Sequence, residues 1–246
     1  MFDLTDRRAL VTGAGQSVGA GIARALTERG ASVVVNDVVA SRAEAVCRKI
    51  GAAGGQATMS AFDVTDLDAV EEAVALLGPI DILVNNAGNG GAAPMPVAKF
   101  REMDPADWHG PLDVNLFGVL HATHTVIDGM VDRGWGRVIT IVSGAGTAGV
   151  GIGVTPYAAA KAGAAGFTRS LALEVAANGV TANSIALGLM DNVGDAESVQ
   201  HLARSVPAKR LGRPDDAGAA CVYLASDEAS WMTGQTIGLN GGAHTS

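Results

Sequence analysis

A chain of 246 residues, 48% hydrophobic and with 33 glycines, can bury an extensive core joined by tight turns. No Pro/Ser-rich linker, run of like charge or internal repeat divides it, so residues 1–246 are expected to form one domain. A net charge of −8 and a pI near 5.0 argue against a nucleic-acid or anionic-membrane surface, which needs basic residues gathered on one face, and point instead to small-molecule partners.

The chain begins Met1, Asp3, Asp6, Arg7, Arg8, with no apolar stretch or small-residue cleavage site for export, which suggests a protein that stays in the cytoplasm. Short β-branched runs bounded by turn residues then follow at Arg8–Val11, Ser32–Asn36, Ile80–Val84, Arg137–Val142 and Val180–Ile185, with weaker candidates at Thr58–Phe62 and Gln235–Leu239. Between them, helical spacing runs through Val18–Arg29, Arg42–Ala53, Leu67–Leu77, Pro105–Asp132, Pro156–Ala177 and Asp215–Ala225. Asp66 can cap the third helix, Asp104-Pro105 and Thr155-Pro156 place a capping oxygen before a proline, and Gly179 ends the helix begun at Pro156. Cys47 and Cys221 lie in helical patterns of alanines and apolar residues and read as core thiols in a reducing compartment, not as a disulfide framework. Val138–Ala160 carries no charge, yet its five glycines, Pro156 and hydroxyls make it a strand, a loop and a helix start, not a membrane span.

Strands apolar throughout suit a parallel sheet covered on both sides. The expected fold is therefore α/β, a doubly wound, mostly parallel seven-stranded sheet with helices on both faces (Rossmann-like). In such sheets ligands bind beyond the carboxyl ends of the strands, so the residues there form the shortlist for function.

After the first strand comes Thr12-Gly13-Ala14-Gly15-Gln16-Ser17-Val18-Gly19, then a helix. Glycines let the backbone approach a pyrophosphate, and a helix N-terminus offers free amides and a positive dipole end. The G-x-G-x-x-x-G spacing is one residue longer than the common dinucleotide fingerprint and equally fits a plain tight turn. Asp37 ends the second strand twenty-two residues after Gly15, where a carboxylate can bind both ribose hydroxyls of an adenosine and repel a 2′-phosphate. With no Arg or Lys at positions 16, 36 and 38, this favours NAD over NADP. Ser143 closes the fifth strand, and Tyr157 follows fourteen residues later on the next helix, so that the two hydroxyls can converge. Lys161 stands one turn beyond Tyr157. A phenol titrates near pH ~10, and an ammonium close to its oxygen would favour the ionised form and tune it for acid-base work. Taken alone, Tyr-x-x-x-Lys also occurs on many surface helices.

Together these motifs closely resemble the short-chain dehydrogenase/reductase family in its compact single-domain form, over nearly the whole chain. Thr12 to Gly19 resembles the family's Gly-rich turn, Asp63-Val64 its adenine-contacting pair and Asn85-Asn86-Ala87-Gly88 its strand-end motif. Asn115, Ser143, Tyr157 and Lys161 fall in the order of the family's catalytic tetrad. The resemblance implies that Tyr157 exchanges the proton, Ser143 orients the substrate oxygen, Lys161 tunes Tyr157 and holds the nicotinamide ribose, and Asn115 anchors a water linking Lys161 to solvent. Cofactor contacts would come from Gly13, Gly15, Gln16, Ser17, Val18, Gly19, Asp37, Asp63, Val64, Asn86, Ala87, Gly88, Tyr157, Lys161, Gly188, Met190 and Asn192, with NAD as the cofactor and no metal. Two departures stand out: Ser17 replaces a glycine, and Leu187-Gly188 with Asn192 replaces Pro-Gly and a threonine that bonds the carboxamide.

His121 and His124 lie three apart, but no third ligand is near in sequence, so they are expected to face solvent or a subunit contact. Ala160, Gly163, Ala164 and Phe167 form a small-residue stripe. It can pack on its own sheet or build the homo-oligomer, dimer or tetramer, that the resemblance suggests. Specificity is expected in Asn89–Met103, the loop after Ser143 and a lid from Leu187 to Leu211, with Pro94, Met95, Pro96, Phe100, Ile152, Met190 and Val193 supplying an apolar lining. This suits a hydrophobic secondary alcohol or ketone. Lys99, Arg101, Lys209 and Arg210 could grip the phosphates of an acyl-CoA or carrier-protein arm, which leaves open a 3-oxoacyl thioester reductase/3-hydroxyacyl dehydrogenase. A non-catalytic NAD-binding sensor or scaffold is the reading from another class.

Overall fold

The computed structural model describes residues 1–89, 94–191 and 196–245. Seven strands, β1 (Arg8–Val11), β2 (Ser32–Asn36), β3 (Gln56–Ser60), β4 (Ile82–Asn85), β5 (Gly136–Ser143), β6 (Val180–Leu187) and β7 (Thr236–Leu239), form one sheet in the order β3-β2-β1-β4-β5-β6-β7. Every neighbouring pair is parallel. The order reverses between β1 and β4, and a crevice opens there at the carboxyl ends.

Alternation along the strands sorts the core into two layers. On one face Ala9, Val11, Val33, Val35, Ile82 and Val84 meet α1 (Ser17–Thr27), α2 (Ala40–Ala52) and the later helix Pro214–Ala225. On the other, Leu10, Val34, Leu83 and Val138 meet α3 (Leu67–Leu77) and two longer helices described below. Gly21 and Gly218 let the first face close tightly. A Cβ at Gly21 would lie 2.4 Å from Cβ of Pro214, and one at Gly218 would lie 2.7 Å from Cβ of Ala25.

The stretch expected to run as one helix from Pro105 to Asp132 is broken into segments. A 3-10 turn (Pro105–Trp108) leads into α4 (His109–Leu112), a π-helical turn (Asp113–Phe117) and then α5 (Gly118–Asp132). Pro111 lacks an amide hydrogen, and the Asn115 side chain donates to the Pro111 carbonyl at 2.8 Å, competing with the backbone ladder. After β5 come a single turn α6 (Gly144–Thr147) and α7 (Thr155–Val175), followed by a 3-10 turn to Asn178 and left-handed Gly179. Asp66 accepts from the Ala69 amide as expected, whereas α7 begins at Thr155 itself, so that Thr155 is the first helical residue and not its cap. The expected lid contains a helix, α8 (Ala196–Ser205), before α9 (Pro214–Ala225). Its base is clamped where Met190 bridges Gly212, Asp191 N–H reaching the Gly212 carbonyl at 2.9 Å.

Candidate active site

A groove of about 360 Å³ crosses the carboxyl ends of the strands, within the size range of small-ligand sites. Its walls include Gly13, Gln16, Ser17, Val18, Gly19, Asp37, Asp63, Val64, Asn86, Ala87, Gly88, Ser143, Tyr157, Lys161, Gly188 and Met190. Asn192, like Val193, lies outside the described residues.

The β1–α1 turn is built for close packing and leaves no room for side chains. A Cβ at Gly13 would sit 2.7 Å from Cα of Ala87, and one at Gly19 would sit 2.4 Å from the Gly13 carbonyl. Ser17 has φ 49°, in the left-handed region that favours glycine, which accounts for the residue usual there in the family. Gln16 precedes α1 without a side-chain cap bond, and the first turn carries no acidic residue. The dipole end therefore faces the groove without a protein carboxylate in the first turn.

Three residues outside the expected set tie this turn to its neighbours. Thr12 Oγ1 accepts from the amides of Asn86 (3.0 Å) and Ala87 (3.1 Å), and Asn86 Nδ2 donates to the carbonyls of Thr12 and Gly13, both at 2.9 Å. Asn36 Oδ1 accepts from Gly13 N–H at 3.3 Å while its amide donates to the carbonyls of Ser60 and Phe62. Arg42 lines the groove beside Asp37. Polar residues ending adjacent strands were the available sequence signal for Thr12 and Asn36. Arg42 had none, because only the fold brings α2 over Gly15.

Asp37 is buried, and its two oxygens accept from Gly15 N–H (3.2 Å) and Val39 N–H (2.9 Å), which fixes the carboxylate at the rim. Gly15 packs behind it and does not line the groove: a Cβ there would meet Asp37 Oδ2 at 2.5 Å. Asp63 accepts from the amide and hydroxyl of Thr65, while the Val64 carbonyl meets His121 Nδ1 at 3.0 Å. Of the two histidines expected to face solvent or a subunit contact, His121 is half-buried and tied to the scaffold, whereas His124 is exposed. Among the described residues no three His, Cys, Asp or Glu side chains gather as a metal would need.

At the other end stand the hydroxyls. Ser143 is hydrogen-bonded to Tyr157, and its Oγ also accepts from the Ala145 amide at 3.2 Å. Lys161 is almost wholly buried, with Nζ donating to the Ile141 carbonyl at 2.8 Å and lying 5.9 Å from the centre of the Tyr157 ring. Burial pulls its pKa down to about 8. Burial also pushes Tyr157 upward, and the bond from Ser143 pulls the other way. This corrects the expectation that the ammonium makes the phenol more acidic: Lys161 is turned to a strand carbonyl, and loss of water around the phenol dominates.

Asn115 is fully buried behind the groove. Its Oδ1 accepts from Asn89 N–H at 3.0 Å, and its amide donates to the carbonyls of Asn89 (2.7 Å) and Pro111 (2.8 Å). Both amide hydrogens are engaged with the backbone, so the side chain clamps Asn89, which has φ 63°. Gly88 is the meeting point: a Cβ there would lie 2.9 Å from Asn115 Oδ1 and 3.2 Å from Lys161 Nζ.

Other expectations change. Ala160 and Ala164 are buried, and a Cβ at Gly163 would meet Leu116, so the stripe packs inside its own subunit. Of the basic rim, Arg210 makes a two-pronged pair with Asp216, Lys209 donates to the Arg204 carbonyl and Arg101 pairs with Glu102, which weakens the case for a phosphate grip. Of the expected apolar lining Met190 borders the groove, while Phe100 stacks on Trp108 at 5.2 Å and Ala98 N–H bonds the Gly153 carbonyl, joining two loops beside it.

Known proteins carry the same plan. The chain is 38% identical to a 3-oxoacyl-(acyl-carrier-protein) reductase of Vibrio harveyi, over 99% of each chain. It is 37% identical to an acetoacetyl-CoA reductase of Cupriavidus necator, over 98% of this chain and 99% of that one. Among solved structures it is similar to a gluconate 5-dehydrogenase of Burkholderia cenocepacia in complex with NADP and tartrate (TM-score 0.89, 34% identity, covering 98% of this chain and 96% of that one). It is similar also to a 3-oxoacyl-(acyl-carrier-protein) reductase with bound NAD from Brucella melitensis (TM-score 0.92, 32% identity, 100% of this chain and 94% of that one). With residues 7–202 matching the short chain dehydrogenase family, on a seven-stranded parallel sheet whose crevice holds Ser143, Tyr157 and Lys161, this chain belongs to that family of oxidoreductases.

Proposed function

We propose that the protein is an NAD-dependent oxidoreductase interconverting a secondary alcohol and its ketone, with 3-hydroxyacyl and 3-oxoacyl thioesters as the favoured substrate class. The observation that carries this is the polarity of one groove, in which Asp37 stands at one end while Ser143, Tyr157 and the buried Lys161 share the other. The residues fit a dinucleotide. Gly13 and Gln16 to Gly19 would hold the pyrophosphate, with Gly15 supporting Asp37 at the adenosine ribose and Asp63 and Val64 at the adenine. Asn86, Ala87, Gly88, Tyr157 and Lys161 would face the nicotinamide ribose, and Gly188, Met190 and Asn192 the carboxamide. When bound, NAD supplies the hydride acceptor, and NADH the donor.

Tyr157 gives its proton to the ketone oxygen in reduction and takes the hydroxyl proton in oxidation, while Ser143 donates a hydrogen bond to the same oxygen and fixes its place. Lys161, with donors beyond the one given to Ile141, would hold the nicotinamide ribose. Asn115 acts through its clamp on Asn89 and its contact behind Gly88, a positioning role in place of the expected water anchor.

The Asp37 carboxylate supports NAD over NADP, since a 2′-phosphate would bring two anions together. Arg42 beside it tempers that repulsion, so the preference is about tenfold and not absolute. The thioester class rests on the two reductase relatives. Leu173 and Trp231, 84% and 100% exposed, support assembly into a homo-oligomer. Two unpaired cysteines suit a cytoplasmic setting, and among the described residues no helix is long and apolar enough to cross a membrane.

The test is a panel of acetoacetyl thioester, keto sugar acid and simple ketones with NADH or NADPH, followed at the NADH absorbance. Fastest turnover of the thioester with NADH is expected. Tight NADH binding without turnover of any member would leave a sensor or scaffold.

A further inference from the structure

We propose that His244 is a specificity-determining residue, donating an imidazole N–H to the second carbonyl of a 3-oxoacyl substrate while Ser143 and Tyr157 engage the carbonyl that is reduced. The inference rests on the substrate class proposed above and extends it to a residue of the C-terminal tail.

The tail is folded back by its own side chains. Asn240 packs on Gly188, where a Cβ would lie 2.8 Å from Asn240 Cα. Asn240 Oδ1 accepts from Gly242 N–H at 2.9 Å, its carbonyl accepts from Ala243 N–H at 3.1 Å, and its Nδ2 donates to the His244 carbonyl at 3.0 Å. The turn is also tied to the foot of the lid, Ala208 N–H bonding the Gly241 carbonyl at 3.0 Å. These four contacts bring residue 244 back over the ends of β5 and β6.

There the imidazole abuts Gly144, the residue after Ser143. A Cβ on Gly144 would lie 3.3 Å from His244 Cδ2 and 3.6 Å from Nε2, so the absence of a side chain at 144 leaves the ring its place. The ring is exposed and makes no side-chain hydrogen bond among the described residues, which leaves a donor free one residue from the hydroxyl that fixes the reacting oxygen. A simple ketone has nothing to offer it. A 3-oxoacyl thioester carries a second carbonyl two carbons from the first, and it is this oxygen that His244, beside Gly144, would meet. A site that hydrogen-bonds such a group discriminates against substrates lacking it.

The experiment compares wild type, His244→Ala and His244→Gln on an acetoacetyl thioester and on 2-pentanone, with NADH. His244→Ala is expected to raise KM for the thioester about tenfold with kcat changed less than about twofold, to leave 2-pentanone kinetics unaltered, and to be largely rescued by His244→Gln, whose amide N–H reaches a similar point. Equal losses on both substrates, or no loss on the thioester, overturn the proposal. A wild type that reduces 2-pentanone but not the thioester overturns it too, leaving the hydride chemistry intact. A wild type inert toward both refutes the enzymatic reading itself and this inference with it.

Discussion

Two buried cations touch the same strand, β5, at its opposite ends. At the amino end Arg137, 2% exposed, has four of its five donors engaged: its guanidinium donates to the carbonyls of Ser226 (3.3 Å), Gly136 (2.9 Å) and Gly179 (3.3 Å), pairs with Asp227 at 3.4 Å and lies 4.3 Å over the Trp135 ring. At the carboxyl end Lys161, 4% exposed, has one hydrogen bond among the described residues, to Ile141, although an ammonium carries three donors. Burial pulls both pKa values down, but Arg137 has Asp227 to oppose the shift, and Lys161 falls to about 8. A cation with four of its five donors used holds the fold together. One kept dry with donors to spare costs stability and is available to a ligand.

If the carboxyl end is the chemical end, Tyr157→Phe should lower kcat about a thousandfold or more, with NAD affinity within about twofold, measured by steady-state kinetics and fluorescence titration. A loss under about tenfold would remove Tyr157 from the proton transfer. Asn115→Ala should open the clamp on Asn89, reducing kcat/KM about thirtyfold and destabilising the fold by about 2 kcal/mol as three backbone partners, the buried Pro111 carbonyl among them, lose their bonds, seen by kinetics and urea unfolding. Asp37→Ala should erase an NAD preference of about tenfold, and a wild type that already favours NADP would show that Arg42 outweighs the carboxylate.

The smallest effect is on pH dependence. Tyr157, raised above 10, stays protonated through neutral pH, so ketone reduction should vary little from pH 6 to about 8 and then fall as Lys161 loses its charge.

Much of this division was legible beforehand, for stated reasons. Short apolar runs bounded by turn residues placed β1 and β2 to the residue, because both are interior strands buried on both faces. Ser143, Tyr157 and Lys161 carried the site because the first ends a strand and the other two stand one turn apart on the next helix. Less was legible where tertiary contacts decide. The π turn at Asn115 depends on a side chain reaching the Pro111 carbonyl, and α8 is hidden in a segment whose composition reads as lid. Sequence also suggested that Lys161 acidifies Tyr157, since four-residue spacing puts both on one helix face, but it could not show that Lys161 turns to Ile141 or how far burial dries the phenol. Arg42 and His244 escaped because only the fold brings them over Gly15 and Gly144.

The most direct test crosses the two cations, measuring thermal stability and turnover per folded molecule for Lys161→Met and Arg137→Met. Lys161→Met should abolish nearly all turnover and be more stable than wild type at pH 7, because an ammonium with a pKa near 8 against an ordinary 10.5 penalises folding fully below pH 8. That advantage should fade between about pH 8 and 10.5. Arg137→Met should lose about 3 kcal/mol with turnover intact. Parallel losses of stability and turnover in both variants would contradict the separation of scaffold from site.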